Sequence, residues 1–171
     1  MANTAEEDEH YLNDIWNVYY HSTTDPDWSI YSFTLIASFS SLKQWCIIFN
    51  SLEEYWKKGM FFIFREHIKP HWEDENNING GCYSMKINSA EFNDKLFETT
   101  AHMLGETLAV DQKHSTNING LSMTPKKNAN IIRIWLKDNE YSAKSLYNIE
   151  PVKYSPLMYK RHKEDPKEIK K

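Results

Sequence analysis

Cysteine is scarce, with only Cys46 and Cys82 in 171 residues. Two such residues are too few for a disulfide scaffold and show no zinc spacing, so a reducing compartment, cytosol or nucleus, is expected. Long hydrophobic runs are missing too. The longest, Trp45–Phe49 and Met60–Phe64, fall far short of the roughly 18 residues that a membrane-spanning helix requires. The opening MANTAEEDEH is acidic with no apolar stretch, which argues against a secretory signal. Net positive charge is absent: 20 basic against 24 acidic residues give −4, which argues against sequence-blind binding to long nucleic acid. The charge is uneven, with five acids and no base over residues 1–14 and six bases against three acids over 160–171. Any nucleic-acid contact must therefore be a local pocket rather than a basic track.

Aromatic residues, by contrast, are plentiful at 14%, with six tryptophans at positions 16, 28, 45, 56, 72 and 135. The ordinary role of a tryptophan is core packing. With 40% hydrophobic residues the chain can bury a core, and its length suits one domain. The acidic start, 1–9, has nothing to bury and is expected to be disordered. A domain over 10–162 and a charged tail over 163–171 complete the division.

Along the domain, Ile15–Tyr20 reads as a strand, and Tyr31, Phe33 and Leu35 as one side of a second. Ser41 with Gln44 three residues on is a capping-box pattern opening a helix to about Lys57, whose stripe is Leu42, Trp45, Phe49, Leu52 and Trp56. Met60–Phe64 reads as a buried strand, Lys69–Gly80 as a polar loop, and Gly81–Ile87 as another strand. Asn88 with Glu91 starts a second helix reaching about Leu108. It has two apolar faces, one of Phe92, Leu96 and Met103, the other of Phe97, Ala101 and Leu108, so it is sandwiched or keeps a stripe for a partner. After a polar loop, Gly120 opens an extended segment. Ile131–Leu136 is a strand with Ile131, Arg133 and Trp135 on one face. A third helix is expected over about Ser142–Asn148. No internal repeat is present. Interspersed short strands and helices point to an α+β fold, an antiparallel sheet with helices on one face.

The segment Pro70-His71-Trp72-Glu73-Asp74, followed by Asn76-Asn77 and Gly80-Gly81, carries the most chemistry. Together with Trp28, Trp45, Leu104-Gly105-Glu106, His10-Tyr11-Leu12 before Trp16, and Gly120 through Trp135, it resembles the eukaryotic translation initiation factor 4E family, cap-binding proteins of messenger RNA. The resemblance runs from about His10 to His162. It implies a curved antiparallel sheet with three helices packed on its convex face, and a 7-methylguanosine cap as ligand. It implies no enzymatic activity, no cofactor and no metal.

Methylation at N7 gives guanine a delocalised positive charge, and indole faces stacked on such a ring gain stacking and cation–π attraction of roughly 1–3 kcal/mol per face. The resemblance assigns those faces to Trp28 and Trp72, both in polar loops where a core role is awkward. It assigns the guanine edge to Glu73, which would accept from N1–H and the 2-amino group, a donor pair adenine lacks. Trp135 resembles the tryptophan near the N7-methyl, and as a strand residue it also suits the core. At the phosphate end the chain departs from the family. Cys82 and Ile131 stand where basic residues are expected, and Lys126 replaces an arginine, keeping charge without bidentate geometry. Arg133, on the face of Ile131 and Trp135, is the candidate replacement.

A second surface is implied for scaffold or repressor proteins carrying a Tyr-x4-Leu-hydrophobic motif. Its residues are His10, Leu12, Trp45, Phe97, Ala101 and Gly105. Periodicity alone puts Trp45 in the core, and the resemblance moves it to the surface. Two other readings compete. One is a divergent member acting as a translational repressor or interaction scaffold with weak cap affinity, suggested by the missing bases. The other is a metal-dependent hydrolase built on His67, His71, Glu73 and Asp74, against which Pro70 counts because it breaks the helical His-x3-His face.

Overall fold

The computed structural model describes residues 9–150 and 156–163. Among these, seven strands form one antiparallel sheet: β1 (Tyr11–His21), β2 (Thr34–Ser41), β3 (Met60–Arg65), β4 (Gly81–Ile87), β5 (Ile118–Lys126), β6 (Ala129–Leu136) and β7 (Met158–Arg161). Their order across the sheet is β2-β1-β3-β5-β6-β4-β7. Register shifts between β1 and β2, and between Ile118 and Gly120 on β5, mark bulges, which bend strands and increase local twist. The curved antiparallel sheet expected from the resemblance is therefore present. The expectations for residues 1–9 and 163–171 lie, apart from Glu9 and Lys163, outside the described residues.

Two α-helices, α1 (Leu42–Ser51) and α2 (Phe92–Leu104), pack on one face. Ser41 caps α1 by accepting from the Gln44 N–H at 3.3 Å, while the Gln44 side chain accepts from the Ser40 N–H at 2.8 Å, one residue short of the reciprocal box. The helix ends at Ser51, not near Lys57. Turns follow, with Trp56 N–H donating to the Leu52 carbonyl, so Trp56 keeps its place on the stripe and is buried. α2 also stops early, at Leu104. Beyond Gly105 the chain turns sharply at Glu106, whose φ of 57° is left-handed. The side chain of Glu106 is held by Asn13 at 2.8 Å and lies 4.0 Å from buried Arg65, contacts that offset the cost of that conformation. The third helical element, expected over Ser142–Asn148, is two short 3-10 turns, Asn139–Tyr141 and Lys144–Leu146.

The second strand differs most from its expectation. Ile30–Ser32 is a 3-10 turn and β2 begins at Thr34, so Tyr31, Phe33 and Leu35 share no strand face. Asp27 explains this: its carboxylate accepts from the Ser29 N–H and hydroxyl, and the Ser32 N–H closes back on the Ser29 carbonyl. Tyr31 is left in solvent while Phe33 turns inward.

Alternation along the strands makes two cores. Val18, Phe61, Ile63, Met85, Leu121, Ile132 and Ile134 join the helices in the larger one. Tyr19, Met60, Phe62, Phe64, Cys82 and Trp135 form a smaller cluster on the opposite face, with Phe33 against it. Met60–Phe64 is apolar throughout because it feeds both. The face opposite α1 and α2 carries the candidate site.

Candidate functional site

A cavity of about 400 Å³ opens on the smaller cluster. Trp28 and Trp72 line it from two different loops, 51% and 44% exposed. Met60, Phe62 and Trp135 supply apolar walls, and Lys126 and Arg133 bring positive charge from β5 and β6. Of the residues expected at the cap base and phosphates, the structure thus gathers five of six: Trp28, Trp72, Trp135, Lys126 and Arg133. Glu73 does not line the wall. It is more than half exposed, with its carboxylate 3.2 Å from His71 Nε2, and His71 is the residue that lines the cavity.

The loop bearing Trp72 is braced from below. Asn77 Nδ2 donates to the carbonyls of Lys69 and His71 at 2.9 and 2.8 Å. Asn119, on β5, donates to Asn77 Oδ1 at 2.8 Å and to the Asn76 carbonyl at 2.6 Å. Asp74 accepts from the backbone and side-chain N–H groups of Asn76 and from Lys69 N–H, so its role is to close the loop. Gly80 ends it where a Cβ would collide with the Leu136 carbonyl, and only glycine allows that approach of loop to sheet. This segment consists of turns, not a helix, so His67 and His71 lack the helical spacing a metal site would use.

Trp135 is only 8% exposed, its Nε1–H donating to Ser122 Oγ at 2.9 Å. It belongs to the floor as well as to the ligand side. Arg133 donates to Thr124 Oγ1 at 3.1 Å, which fixes the guanidinium beside the cavity with one of its several donors. Beneath the floor, Cys82 Sγ lies 3.0 Å from His162 Nε2, and His162 Nδ1 is 2.8 Å from the Asn77 carbonyl. A carbonyl only accepts, so Nδ1 carries the hydrogen and Nε2 faces the thiol as acceptor. Burial lowers the His162 pKa, against the opposing Asn77 hydrogen bond, and so favours this neutral ring. Burial also pushes the Cys82 thiol up to about 12, against the opposing charge of Arg133.

On the other face, the residues expected to take a peptide fall into two groups. Leu12 packs against the helical core, and the His10 carbonyl accepts from the Leu42 N–H at the start of α1. The Asn13–Glu106 bond draws this end of β1 to the turn after Gly105. Phe97 is 39% exposed, its ring 5.0 Å from Phe49, and Ala101 follows one turn on. Trp45 is a correction: it is 1% exposed, packed among Phe39, Phe49 and Trp56, and its Nε1–H has no hydrogen-bond partner. The stripe periodicity described its burial correctly.

Met60, Phe62, Ser122 and Thr124 were not anticipated as lining residues. The two-residue period carried the signal, since Ser122 and Thr124 alternate with Lys126 and Met60 with Phe62.

The cavity thus brings two half-exposed indoles and two cationic side chains together on one face of the seven-stranded sheet. The sequence profile described as Eukaryotic initiation factor 4E matches residues 11–169, and the chain belongs to that family. It is 29% identical over 139 residues to eukaryotic translation initiation factor 4E of Saccharomyces cerevisiae, covering 77% of this chain and 64% of that protein. With the Candida glabrata counterpart the identity is 31% over 136 residues, covering 75% of this chain and again 64% of the relative. The chain thus spans somewhat under two thirds of these relatives. The fold is similar to C. elegans eIF4E-3, solved with the 4E-binding protein Mextli and cap analog (TM-score 0.70, 18% identity, 78% of each chain). It is also similar to schistosome eIF4E complexed with m7GpppA and 4E-BP (TM-score 0.70, 21% identity, 79% of this chain and 75% of that one).

The buried acids give a stability prediction. Burial raises the pKa of Cys82, and of Tyr83, Tyr147 and Tyr159, the last to about 12. Above pH ~9 the unfolded chain loses these protons first, so the native state binds more protons and stability falls as pH rises. Denaturant melts should show midpoints declining from about pH 9 upward. At about pH 8, one thiol per chain, exposed Cys46, should react rapidly with a disulfide reagent, and Cys82 only after denaturation.

Proposed function

We propose that the cavity binds the 7-methylguanosine cap of messenger RNA and that the chain delivers capped message to the translation initiation machinery through a scaffold protein. The observation that carries this reading is the convergence of two half-exposed indoles, from separate loops, on one cavity that also holds Lys126 and Arg133. Two half-exposed indoles gain less from folding than buried ones would, but they offer π-faces to a cationic base. Glu73, beside Trp72, is the candidate reader of the guanine edge. Reaching it means exchanging its His71 contact for the base. The neighbours solved with cap analogs support the same ligand, and the relatives' names support the part in translation initiation. The reading includes no catalysis and no cofactor. Titration of tryptophan fluorescence with 7-methyl-GTP against GTP tests it: tight, saturable quenching by the methylated ligand supports it, and equal weak responses defeat it.

The phosphates fall to Arg133 and Lys126, since Cys82 and Ile131 bring no charge. Arg133→Ala and Lys126→Ala should each weaken 7-methyl-GTP binding about tenfold while changing 7-methylguanosine binding little, the scale of one charge-assisted hydrogen bond. Raising the salt should shrink the difference. Equal losses for both ligands would show that neither residue meets phosphate.

The helix-side surface of Leu12, Phe97, Ala101 and Gly105, with Trp45 behind it, is the proposed seat of a Tyr-x4-Leu-hydrophobic peptide. The repressor reading, weak cap affinity with a retained peptide surface, is favoured by Cys82 and Ile131, and the same titrations decide it.

A further inference from the structure

His21 ends β1 with its ring fully buried. The imidazole is stacked on Trp28, centroids 4.3 Å apart and planes 11° from parallel, with Phe33 against it at 5.0 Å. Its neighbour across the sheet is Met60 on β3. Both ring nitrogens face carbonyl oxygens: Nδ1 lies 2.8 Å from the oxygen of Ser22, and Nε2 2.8 Å from that of Asp27. A carbonyl oxygen only accepts. A neutral imidazole has one N–H and one lone pair, so it would satisfy one contact and set lone pair against lone pair in the other. Both contacts are hydrogen bonds only when both nitrogens carry hydrogen. Burial opposes a charged ring, and the two carbonyl contacts are what offset it: Trp28, Phe33 and Met60 bring no ionisable group, and the Asp27 carboxylate is held by Ser29. Tyr19, two residues back, has its hydroxyl bonded to Asn17. Lys126 and Arg133 stand on β5 and β6 beside the same cavity.

We propose that His21 is a positioning and specificity-determining residue: a buried imidazolium that clamps the 22–27 loop through both ring nitrogens and, from beneath Trp28, reduces that indole's preference for a cationic ring over a neutral one. The loop leaves β1 at His21 and returns at Trp28, so a ring bonded to residues 22 and 27 fixes both its ends. The charge acts through the indole. A base stacked on the outer face of Trp28 would lie roughly 3.5 Å above it, hence roughly 8 Å from the imidazolium. Two like charges at that separation cost a factor of about 2 to 30 in affinity between aqueous and protein-surface dielectrics. A neutral guanine escapes that cost. The selectivity half of the proposal rests on the cap reading above, and the clamp does not.

The test has two arms on the full chain. First, ¹⁵N NMR of the ligand-free protein at about pH 7 should show both His21 ring nitrogens in the protonated form. A neutral-tautomer spectrum overturns the proposal. Second, the ratio of GTP to 7-methyl-GTP dissociation constants is compared between the unaltered protein and His21→Phe, which keeps a stacked ring and removes the charge. The ratio should rise at least about twofold, whereas loosened packing alone, by misplacing an indole that favours a cationic ring, would lower it or leave it unmoved. His21→Gln, uncharged but able to donate to one carbonyl, should raise the ratio too and serves if the phenylalanine variant does not fold. An unchanged ratio in folded variants overturns the specificity role. If the unaltered protein binds neither ligand, the cap reading fails and the selectivity with it, while the first arm still decides the clamp.

Discussion

Alanine at Trp28 or Trp72 is expected to reduce 7-methyl-GTP affinity about tenfold or more, and no less than about fivefold, while leaving circular dichroism unchanged. Each indole offers a face to the ligand, and a base–aromatic stack is worth roughly 1–3 kcal/mol, about 5- to 150-fold. Neither contributes much to folding, since both are about half exposed and lie in loops. The Trp72 loop is held by Asn77, Asn119 and Asp74 rather than by its tryptophan. The two variants should still differ in one respect. Trp28 covers the ring of His21, so its removal uncovers a buried histidine, and Trp28→Ala should melt somewhat lower than Trp72→Ala. Full affinity in either folded variant would remove that indole from the ligand site.

The resemblance picked out Trp28 and Trp72, and their polar loops, which give an indole nothing to bury, agreed with it. On the phosphate side the period of two put Arg133 on the face of Trp135, the resemblance picked out that face, and both residues line the cavity. What stayed hidden depended on contacts between segments distant in sequence. Asn119 reaches the 76–77 loop over more than forty positions, and His162 reaches Asn77 across 85. No periodicity encodes such pairs. The second strand misled because Tyr31, Phe33 and Leu35 alternate as a strand should, yet Asp27 and Ser29 bind the preceding backbone into a turn. Local hydrogen bonding there outweighed β propensity. The early ends of α1 and α2 had the opposite character. Trp56 and Leu108 remain buried although neither lies in a helix, so the apolar stripe described burial better than it described helix length.

Trp45 carries the other large expectation. With 1% exposure and three aromatic neighbours, Trp45→Ala should destabilise the domain by about 3–5 kcal/mol, seen as an earlier denaturant midpoint. Loss of peptide binding in that variant would say nothing about contact, because unfolding would explain it. Trp45→Phe separates the two. Phenylalanine keeps an aromatic ring against Phe39 and Phe49 and removes only part of the volume. It also removes an N–H that is buried without a partner, a group whose unmet hydrogen bond costs roughly 1–3 kcal/mol in the free protein. The lost packing and the relieved donor offset one another, so stability should stay within about 1 kcal/mol of the unaltered chain. That nitrogen is itself buried, so a peptide carbonyl could satisfy it only by displacing the side chains that cover it, and a part for Trp45 in peptide recognition requires that displacement. Trp45→Phe should then lose about tenfold in affinity for a Tyr-x4-Leu-hydrophobic peptide, with 7-methyl-GTP binding on the opposite face of the sheet unchanged. Isothermal titration with both ligands reads the result. Unaltered peptide affinity in a folded Trp45→Phe protein would make Trp45 a core residue with no part in peptide recognition, leaving Leu12, Phe97 and Ala101 to form the surface without it.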